Sequence, residues 1–230
     1  MKERIAITGS EGTIGTVLKQ GLSQDYDITE IDLPQTDVRN YEQLLNAAQN
    51  HLAIIHLAWN SKTENFRNEN IDPDNFAMAM NAYKAAREAG VPRVIIPSSI
   101  HAHAFYGWES PPLMSVDMIP TPDSPYGADK IFIESAGRYF ASKGLGVVCV
   151  RFGGINPKNI PPSEEDYPWE ERAAWLSNND CVSLIRTIIE AKEIPNNFVL
   201  MYGVSNNSRR IHDVSNPFGW MPQDKAEDFK

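Results

Sequence analysis

Short runs of apolar residues alternate along the chain with stretches in which apolar residues recur every three or four positions. The short runs are rich in Ile, Val and Ala and are bounded by Gly, Pro or Asp, which is typical of buried strands. The longer stretches have the period of an amphipathic helix. Predicted strands cover 4–8, 27–31, 53–57, 93–96, 146–151 and 198–202, and predicted helices cover 14–22, 41–49, 75–89, 126–142 and 181–191. This alternation predicts the α/β class, with a doubly wound parallel sheet (Rossmann fold).

The 230 residues fit one domain, residues 1–230, rather than two. Residues 107–125 contain five of the sixteen prolines and are predicted to form an irregular loop. In residues 156–180 and 203–230, apolar residues do not recur with the spacing of a helix or a strand over any long stretch. We expect these two segments to form a small C-terminal substrate-binding lobe, or lid, on the dinucleotide-binding domain.

Composition and charge narrow the range of partners. The formal net charge is −9, whereas nucleic-acid binding needs a concentrated basic surface, so no nucleic-acid partner is expected. The first predicted strand begins at Arg4 and no apolar run could span a bilayer, which predicts a cytoplasmic protein with no membrane contact. The two cysteines, Cys149 and Cys181, give neither a disulfide framework nor a zinc site. The apolar run around Cys149 predicts a buried structural thiol.

The first predicted strand leads directly into a loop that contains Gly9, Gly12 and Gly15 and opens the first helix. A diphosphate binds to backbone N–H groups at a helix N-terminus where no side chain blocks its approach. Gly9 permits the tight turn, Gly12 lets the diphosphate approach, and Gly15 lets the helix pack on the sheet. The placement between strand and helix favours a dinucleotide site over a plain glycine-rich connection. The intervening residues expected in the same site are Glu11, Thr13 and Ile14.

Asp32 stands at the end of the second predicted strand. A carboxylate at this point accepts hydrogen bonds from the adenosine ribose and repels the 2′-phosphate of NADP, so NAD is the predicted cofactor. The alternative is that Asp32 only begins the turn before Pro34. Asp37 and Val38 follow where the chain can reach the adenine.

Ser99 and the pair Tyr126 and Lys130 carry the predicted chemistry. Ser99 follows the fourth strand, at the sheet edge where open α/β folds bind ligands. Ser124 and Pro125 are typical of a helix start, so Tyr126 and Lys130, four residues apart, are expected on one helix face. We expect the Lys130 ammonium to lower the pKa of Tyr126, so that its phenolate accepts a substrate proton while Ser99 holds the reacting oxygen. Taken alone, the pair would be an ordinary surface pair of a helix.

Taken together, these motifs resemble the extended short-chain dehydrogenase/reductases of the NAD-dependent epimerase/dehydratase family. The matching segments are 8–15, Asp32, 37–38, 56–59, 81–86, 98–99, Tyr126 and Lys130, about two thirds of the chain by extent. The resemblance implies that Ser99, Tyr126 and Lys130 form a catalytic triad and that Tyr126 and Lys130 also contact the cofactor. The further cofactor contacts that it implies are Leu57, Ala58, Trp59 and Asn81.

Within that family the chain resembles uronate dehydrogenases, which oxidise the anomeric carbon of a hexuronic acid to a lactone. The shared segments are 98–101, 151–154, 175–177 with Asp180, 202–206 and 218–222. The likeness implies a small sugar-like substrate and an NAD-dependent oxidation. The substrate-binding residues that it implies are Ile100, His101, Gly154 and Arg172.

Three positions depart from the uronate dehydrogenase pattern. Ile100 stands where those enzymes have Asn, Gly154 where they have Ser, and Glu170 where they have the Arg that binds the uronate carboxylate. Arg172 lies two residues further on, about 200° round a helix, and is not expected to replace that Arg directly. We therefore expect uronates to be poorer substrates than a neutral or phosphorylated aldose.

Other functions stay open from the sequence. Beside the dehydrogenase stand a nucleotide-sugar epimerase or dehydratase and a non-catalytic NAD-binding regulatory protein; the presence of the Ser, Tyr and Lys favours the dehydrogenase. His101 and His103 form a His-x-His pair, but no third ligand has a useful spacing, so no metal is expected. A homo-oligomer is also expected.

Overall fold

The computed structural model of the protein describes residues 2–61, 70–107 and 112–229. Within these residues, six parallel strands form one sheet in the order β2-β1-β3-β4-β5-β6. The strands are β1 (Arg4–Thr8), β2 (Asp27–Ile31), β3 (Ala53–His56), β4 (Arg93–Ser99), β5 (Gly146–Phe152) and β6 (Phe198–Gly203). The helices are α1 (Thr13–Leu22), α2 (Tyr41–Ala47), α3 (Pro73–Glu88), α4 (Pro125–Ala141), α5 (Trp169–Ala173) and α6 (Asn178–Glu190). The predicted fold class is confirmed.

The strand order places a ligand-binding crevice next to β1. The chain leaves β1 for β2 on one side and then returns past β1 to β3 on the other. The loops that follow β1 and β3 therefore diverge over opposite faces of the sheet, and their carboxyl ends border a crevice. The strands stay in register there, since Thr8 of β1 pairs with Ile31 of β2 and with His56 of β3.

Alternation along the strands gives the sheet two buried faces. Ile5 and Ile7 of β1 pack in one core cluster with apolar side chains of α1 and α6. Ala6, between them, belongs to the opposite cluster, which includes apolar side chains of α2, α3 and α4. Both faces are covered by helices, as parallel sheets require.

A third apolar cluster lies beside the carboxyl end of the sheet. Its buried members are Ile100, Phe105, Met114, Ala174, Tyr202, Val204 and Ile211. They come from the segment after β4, the region around α5, and the end of β6 with the chain that follows it. This cluster is the physical basis of the predicted C-terminal lobe, which we retain as a proposal.

Two element boundaries differ from the sequence prediction by three residues, and the other boundaries of the predicted elements lie within two residues of it. β4 continues through Pro97 to Ser99, three residues beyond the prediction. Proline is compatible with this position because β3 pairs with β4 only at Val94 and Ile95, so no strand on that side requires the missing N–H. α6 begins at Asn178, three residues before the prediction, because Ser177 accepts a hydrogen bond from the Asp180 N–H and caps the helix.

Candidate active site

The glycine loop after β1 is closely packed against its neighbours. Gly9 has a positive φ of 65°, and a Cβ there would lie 2.6 Å from the Ala58 nitrogen. A Cβ on Gly15 would lie 2.5 Å from the Ser10 carbonyl oxygen. Both positions therefore require glycine, as the sequence predicts.

The start of α1 offers N–H donors to an anion. Gly12 is the N-cap, has extended backbone geometry and provides no side-chain cap. The N–H groups of the first turn consequently lack an intrahelical or capping partner, and the residues of this turn line a cavity. Partial positive charge at a helix N-terminus favours a diphosphate at this place. The loop therefore fits the diphosphate of a dinucleotide.

Two cavities meet at the glycine loop. One, of about 410 Å³, runs towards the end of β2, and the other, of about 440 Å³, runs towards the ends of β4 and β5. They share the wall residues Gly9, Gly12, Leu57, Trp59 and Asn60. Together they form one groove along the carboxyl edge of the sheet, with one compartment on each side of the glycine loop, as the two halves of a dinucleotide require.

The end of β2 forms the wall of the first cavity. The Asp32 carboxylate accepts hydrogen bonds from the Glu11 and Leu33 N–H groups, both at 2.9 Å, so the strand end and the glycine loop are held together. Asp37 binds Arg39 through Nη2 at 2.7 Å, and this hydrogen bond lowers the pKa of the Asp37 carboxyl. The predicted cofactor residues on this wall are Glu11, Asp32, Asp37, Val38 and Ala58.

Ser99, Tyr126 and Lys130 all line the second cavity. Ser124 caps α4 by accepting from the Gly127 N–H at 3.2 Å, and Pro125 follows in the first turn, so the helix begins as the sequence predicts. The close approach of α4 to the turn after β4 depends on Gly127, where a Cβ would lie 2.1 Å from the His101 carbonyl oxygen.

The Tyr126 hydroxyl is hydrogen-bonded to Ser99, which the predicted mechanism requires. The expected lowering of the Tyr126 pKa is not met. Burial raises the pKa of Tyr126, because it disfavours the phenolate, and the hydrogen bond with Ser99 only partly opposes this effect. Lys130 Nζ lies 5.4 Å from the centroid of the Tyr126 ring.

Lys130 is buried, with 2% of its surface exposed. Its Nζ donates to the Pro97 carbonyl oxygen at 3.0 Å and lies 3.5 Å from the centroid of the Trp59 ring. Burial lowers the pKa of Lys130 to about 7, and the nearby Asp129 carboxylate opposes this effect. Asp129 is itself buried on the cavity wall, and burial raises its pKa to about 6. Asp129 is not among the residues that the sequence predicts for this site, since an acidic residue inside a helix carries no distinctive pattern.

The carboxyl ends of β4 and β5 form the far end of the second cavity. Ile100, His101 and Gly154 line it, as the resemblance implies. His101 Nδ1 lies 2.8 Å from an Asp123 carboxylate oxygen, which fixes the orientation of the imidazole. Glu171 of α5 also lines this end and accepts a hydrogen bond from the Tyr106 hydroxyl.

Two of the predicted site residues lie outside both cavities. Arg172 donates to the carbonyl oxygens of Pro162 at 3.0 Å and Ala226 at 2.6 Å, so its guanidinium joins the lid segment to the C-terminal tail. Asn81 donates to the Val38 and Arg39 carbonyl oxygens and holds the chain after β2. Asn81 thus holds two wall residues of the first cavity, whereas the partners of Arg172 line neither cavity, and we leave both side chains out of the proposed contacts.

Other features bear on the class of protein. Within residues 2–61, 70–107 and 112–229, no group of three or more His, Cys, Asp or Glu side chains could hold a metal ion. Over the same residues, no helix has the length and apolar character needed to cross a membrane. Cys149 and Cys181 are buried free thiols, which confirms the structural interpretation of Cys149.

Comparisons with known proteins agree with this geometry. The chain is 29% identical over 249 residues to an L-arabinose 1-dehydrogenase (NAD(P)(+)) of Haloferax volcanii, with 97% of each chain covered. It is also 29% identical to a uronate dehydrogenase of Agrobacterium fabrum, over 99% of this chain and 87% of the relative. The crystal structure of uronate dehydrogenase from Agrobacterium tumefaciens superposes with a TM-score of 0.82 and 26% identity, covering 99% of this chain and 86% of that one.

A second crystal structure of that uronate dehydrogenase, a tyrosine-to-alanine variant complexed with NAD, has the same TM-score of 0.82 at 25% identity, covering 99% of this chain and 87% of that one. The sequence model described as the NAD dependent epimerase/dehydratase family matches residues 5–156, which include the glycine loop, Ser99, Tyr126 and Lys130. The chain belongs to the NAD-dependent epimerase/dehydratase family.

Proposed function

We propose that this protein is an NAD-dependent dehydrogenase that oxidises the anomeric carbon of a sugar to a lactone. The observation that carries the proposal is the placement of Ser99, Tyr126 and Lys130 on one cavity that continues into the dinucleotide groove. The relatives with sugar dehydrogenase names cover nearly the whole chain, which supports the same reaction class.

The residues of the groove suit NAD at three points. The first turn of α1 would hold the diphosphate, and Asp32 would bind the adenosine ribose hydroxyls. Trp59, Tyr126 and Lys130 would hold the nicotinamide half, where the cofactor supplies the acceptor for the hydride. The Asp32 carboxylate disfavours a 2′-phosphate, so NAD rather than NADP is the proposed cofactor.

The side chains of the second cavity would accept the proton that the substrate hydroxyl loses during oxidation. Tyr126 accepts the proton of the substrate hydroxyl, while Ser99 hydrogen-bonds the same oxygen and keeps it close to Tyr126. Burial disfavours the phenolate that this step requires, and the Lys130 ammonium, 5.4 Å from the centroid of the Tyr126 ring, would offset part of that effect. His101, fixed by Asp123, hydrogen-bonds a further hydroxyl of the sugar.

The test is the formation of NADH when the protein is incubated with NAD and a panel of aldoses, uronates and sugar phosphates. We expect turnover with at least one of them. Tyr126→Phe retains the packed ring but loses the proton acceptor, so kcat should fall by about 10²–10⁴-fold while NAD affinity stays nearly unchanged. A variant that keeps most of its activity would contradict the role of Tyr126.

Two alternatives have distinct outcomes in the same experiment. An epimerase or dehydratase would convert a nucleotide sugar with no net release of NADH, and a regulatory protein would bind NAD without converting any substrate. Neither alternative gains support from a particular contact in the groove. A cytoplasmic location and a homo-oligomeric assembly stay predictions of the sequence, and the size of the assembly can be measured by light scattering.

A further inference from the structure

The lid helix α5 carries two adjacent acidic residues with different surroundings. Glu170 is buried, with 5% of its surface exposed, and its carboxylate accepts a hydrogen bond from the Gly107 N–H at 3.1 Å. Glu171 instead lines the second cavity, and the ring of Tyr106, which donates to Glu171, lies 6.3 Å from the His101 ring. Glu170 therefore fixes the adjoining loop, whereas Glu171 presents its carboxylate to the substrate end.

Tyr106 holds the Glu171 carboxylate in place. Its hydroxyl donates a hydrogen bond to Glu171, and burial together with this carboxylate raises the pKa of Tyr106. Tyr106 therefore remains a neutral hydrogen-bond donor to the Glu171 carboxylate. A carboxylate offers about four lone-pair sites, so Glu171 can accept further hydrogen bonds from a ligand.

Among the residues that the structure describes, no guanidinium lines the cavity beside Glu171. Among the described wall residues of the second cavity, Lys130 is the only lysine or arginine, and its ammonium is engaged by the Pro97 carbonyl and the Trp59 ring. Arg172 points its donors at the Pro162 and Ala226 carbonyls. Arg209 lies 4.0 Å from the centroid of the Trp169 ring and pairs with Glu164 at 3.3 Å.

We propose that Glu171 determines substrate charge: it accepts hydrogen bonds from the hydroxyls of a neutral aldose and excludes sugars that carry a carboxylate or phosphate. This inference rests on the proposed sugar dehydrogenase function. Exclusion works through repulsion, since an anion beside Glu171 would meet a like charge that no arginine among the described wall residues offsets. Attraction works through charge-assisted hydrogen bonds, which are stronger than those between neutral groups.

The experiment compares kcat/KM for matched neutral and anionic sugars: glucose with glucuronate and glucose 6-phosphate, and galactose with galacturonate. For the unaltered protein, we expect each neutral sugar to exceed its anionic counterparts by at least tenfold. Glu171→Gln keeps the shape and a hydrogen-bonding oxygen but removes the charge. In this variant the ratio of kcat/KM for the neutral sugar to kcat/KM for its anionic counterpart should fall at least tenfold, while the dissociation constant for NAD stays unchanged.

Two further variants make the test specific. Glu165→Gln removes a charge from an exposed position in the same lid segment and should leave the preference unchanged. Tyr106→Phe keeps the Glu171 charge but releases its orientation, so it should lower kcat/KM for neutral sugars while the exclusion of anions persists. These readouts separate a charge effect from loss of folding.

The outcomes distinguish this inference from the proposed function. A preference of the unaltered protein for uronates, or a preference that Glu171→Gln leaves unchanged, overturns the role of Glu171 while the dehydrogenase function stands. Absence of NADH with every sugar overturns the dehydrogenase function and this inference with it.

Discussion

Lys130 shows how burial and function conflict within one residue. In the described part of the chain its ammonium has no salt bridge and is stabilised by a carbonyl oxygen and by the face of an indole ring. These partners offset only part of the desolvation cost, which is why the pKa of Lys130 falls to about 7. Asp129 is the neighbouring carboxylate that opposes this fall. The charge required by the proposed mechanism thus depends on Asp129.

Asp129→Asn should move the alkaline limb of the pH profile of kcat/KM to lower pH. Asp129 favours the charged form of Lys130, so its removal lowers the Lys130 pKa further, and the ammonium is then lost at a lower pH as pH rises. The charges that act on Asp129 are Lys130 on its own helix and Asp72 at the start of α3. Because the Lys130 pKa is already about 7, the measurement is the pH dependence of kcat/KM from about pH 5 to 9.

A second observable reports the same titration without turnover. Lys130 lies against Trp59, so loss of its charge should alter the fluorescence of that indole, and Trp59→Phe supplies the blank. The midpoint of this change should also move to lower pH in Asp129→Asn. The exposed Asp117→Asn is the control and should leave both midpoints in place. Unchanged midpoints in Asp129→Asn would show that Asp129 does not act on Lys130.

At the scale of elements, the predictions succeeded where a local pattern sets the structure. The glycine loop, the Ser124–Pro125 helix start and the apolar strands depend on nearby residues, and they lie where the sequence predicts. The sequence predicts a β4 that is too short, because proline usually ends a strand that has partners on both sides. Pro97 is tolerated because β3 stops pairing with β4 at Ile95, and only the tertiary structure shows this. α5, with five residues, is too short to display a helical period.

The candidate site divides in the same way. Ser99, Tyr126 and Lys130 stand in recognisable motifs, whereas Glu171 and Asp129 are acidic residues whose burial follows from the packing of distant segments. The resemblance places Glu170 where uronate dehydrogenases have the Arg that binds the carboxylate. In the structure Glu170 binds the Gly107 N–H, and the next residue, Glu171, lines the cavity. One residue along a helix turns the side chain by about 100°, so a shift of a single position decides which carboxylate faces the ligand.

The end of β2 carries a prediction about cofactor choice. Asp32→Asn keeps an oxygen that can accept from the Glu11 or Leu33 N–H but removes the charge that repels a 2′-phosphate. A hydrogen bond to a charged group contributes about 1.5–3 kcal/mol, so NAD affinity should fall by about one to two orders of magnitude. The affinity for NADP should fall less or rise. Dissociation constants for both cofactors, measured by calorimetry, decide the matter.

Asp27→Ala, at the opposite end of the same strand, is the control and should leave both affinities unchanged. Tighter binding of NADP than NAD by the unaltered protein would contradict the assignment of Asp32.

For the whole molecule, one buried carboxylate links the C-terminal tail both to α6 and to the chain after β6. Asp180 of α6, with 2% of its surface exposed, accepts hydrogen bonds from the Gln223 N–H at 2.8 Å and the Asp224 N–H at 3.1 Å. It also accepts from the Ser205 hydroxyl at 2.6 Å, just after β6. The tail, the chain after β6 and α6 therefore meet at a single side chain beneath the proposed lobe.

Asp180→Ala should destabilise the fold and loosen this tail. The substitution leaves two backbone N–H groups and a hydroxyl without their acceptor, and a buried donor without a partner costs about 1–3 kcal/mol. Since water can reach part of the loosened tail, we expect the free energy of unfolding to fall by about 2–4 kcal/mol. For a chain of this length, each kcal/mol lowers the melting temperature by about 2–4 °C. Thermal unfolding gives the shift, and proteolysis should cut the tail of the variant first.

Asn179→Ala, an exposed neighbour on the same helix, is the control. A melting temperature for Asp180→Ala within the error of that control would mean that the tail is held by its apolar contacts, such as those of Trp220, and not by the carboxylate.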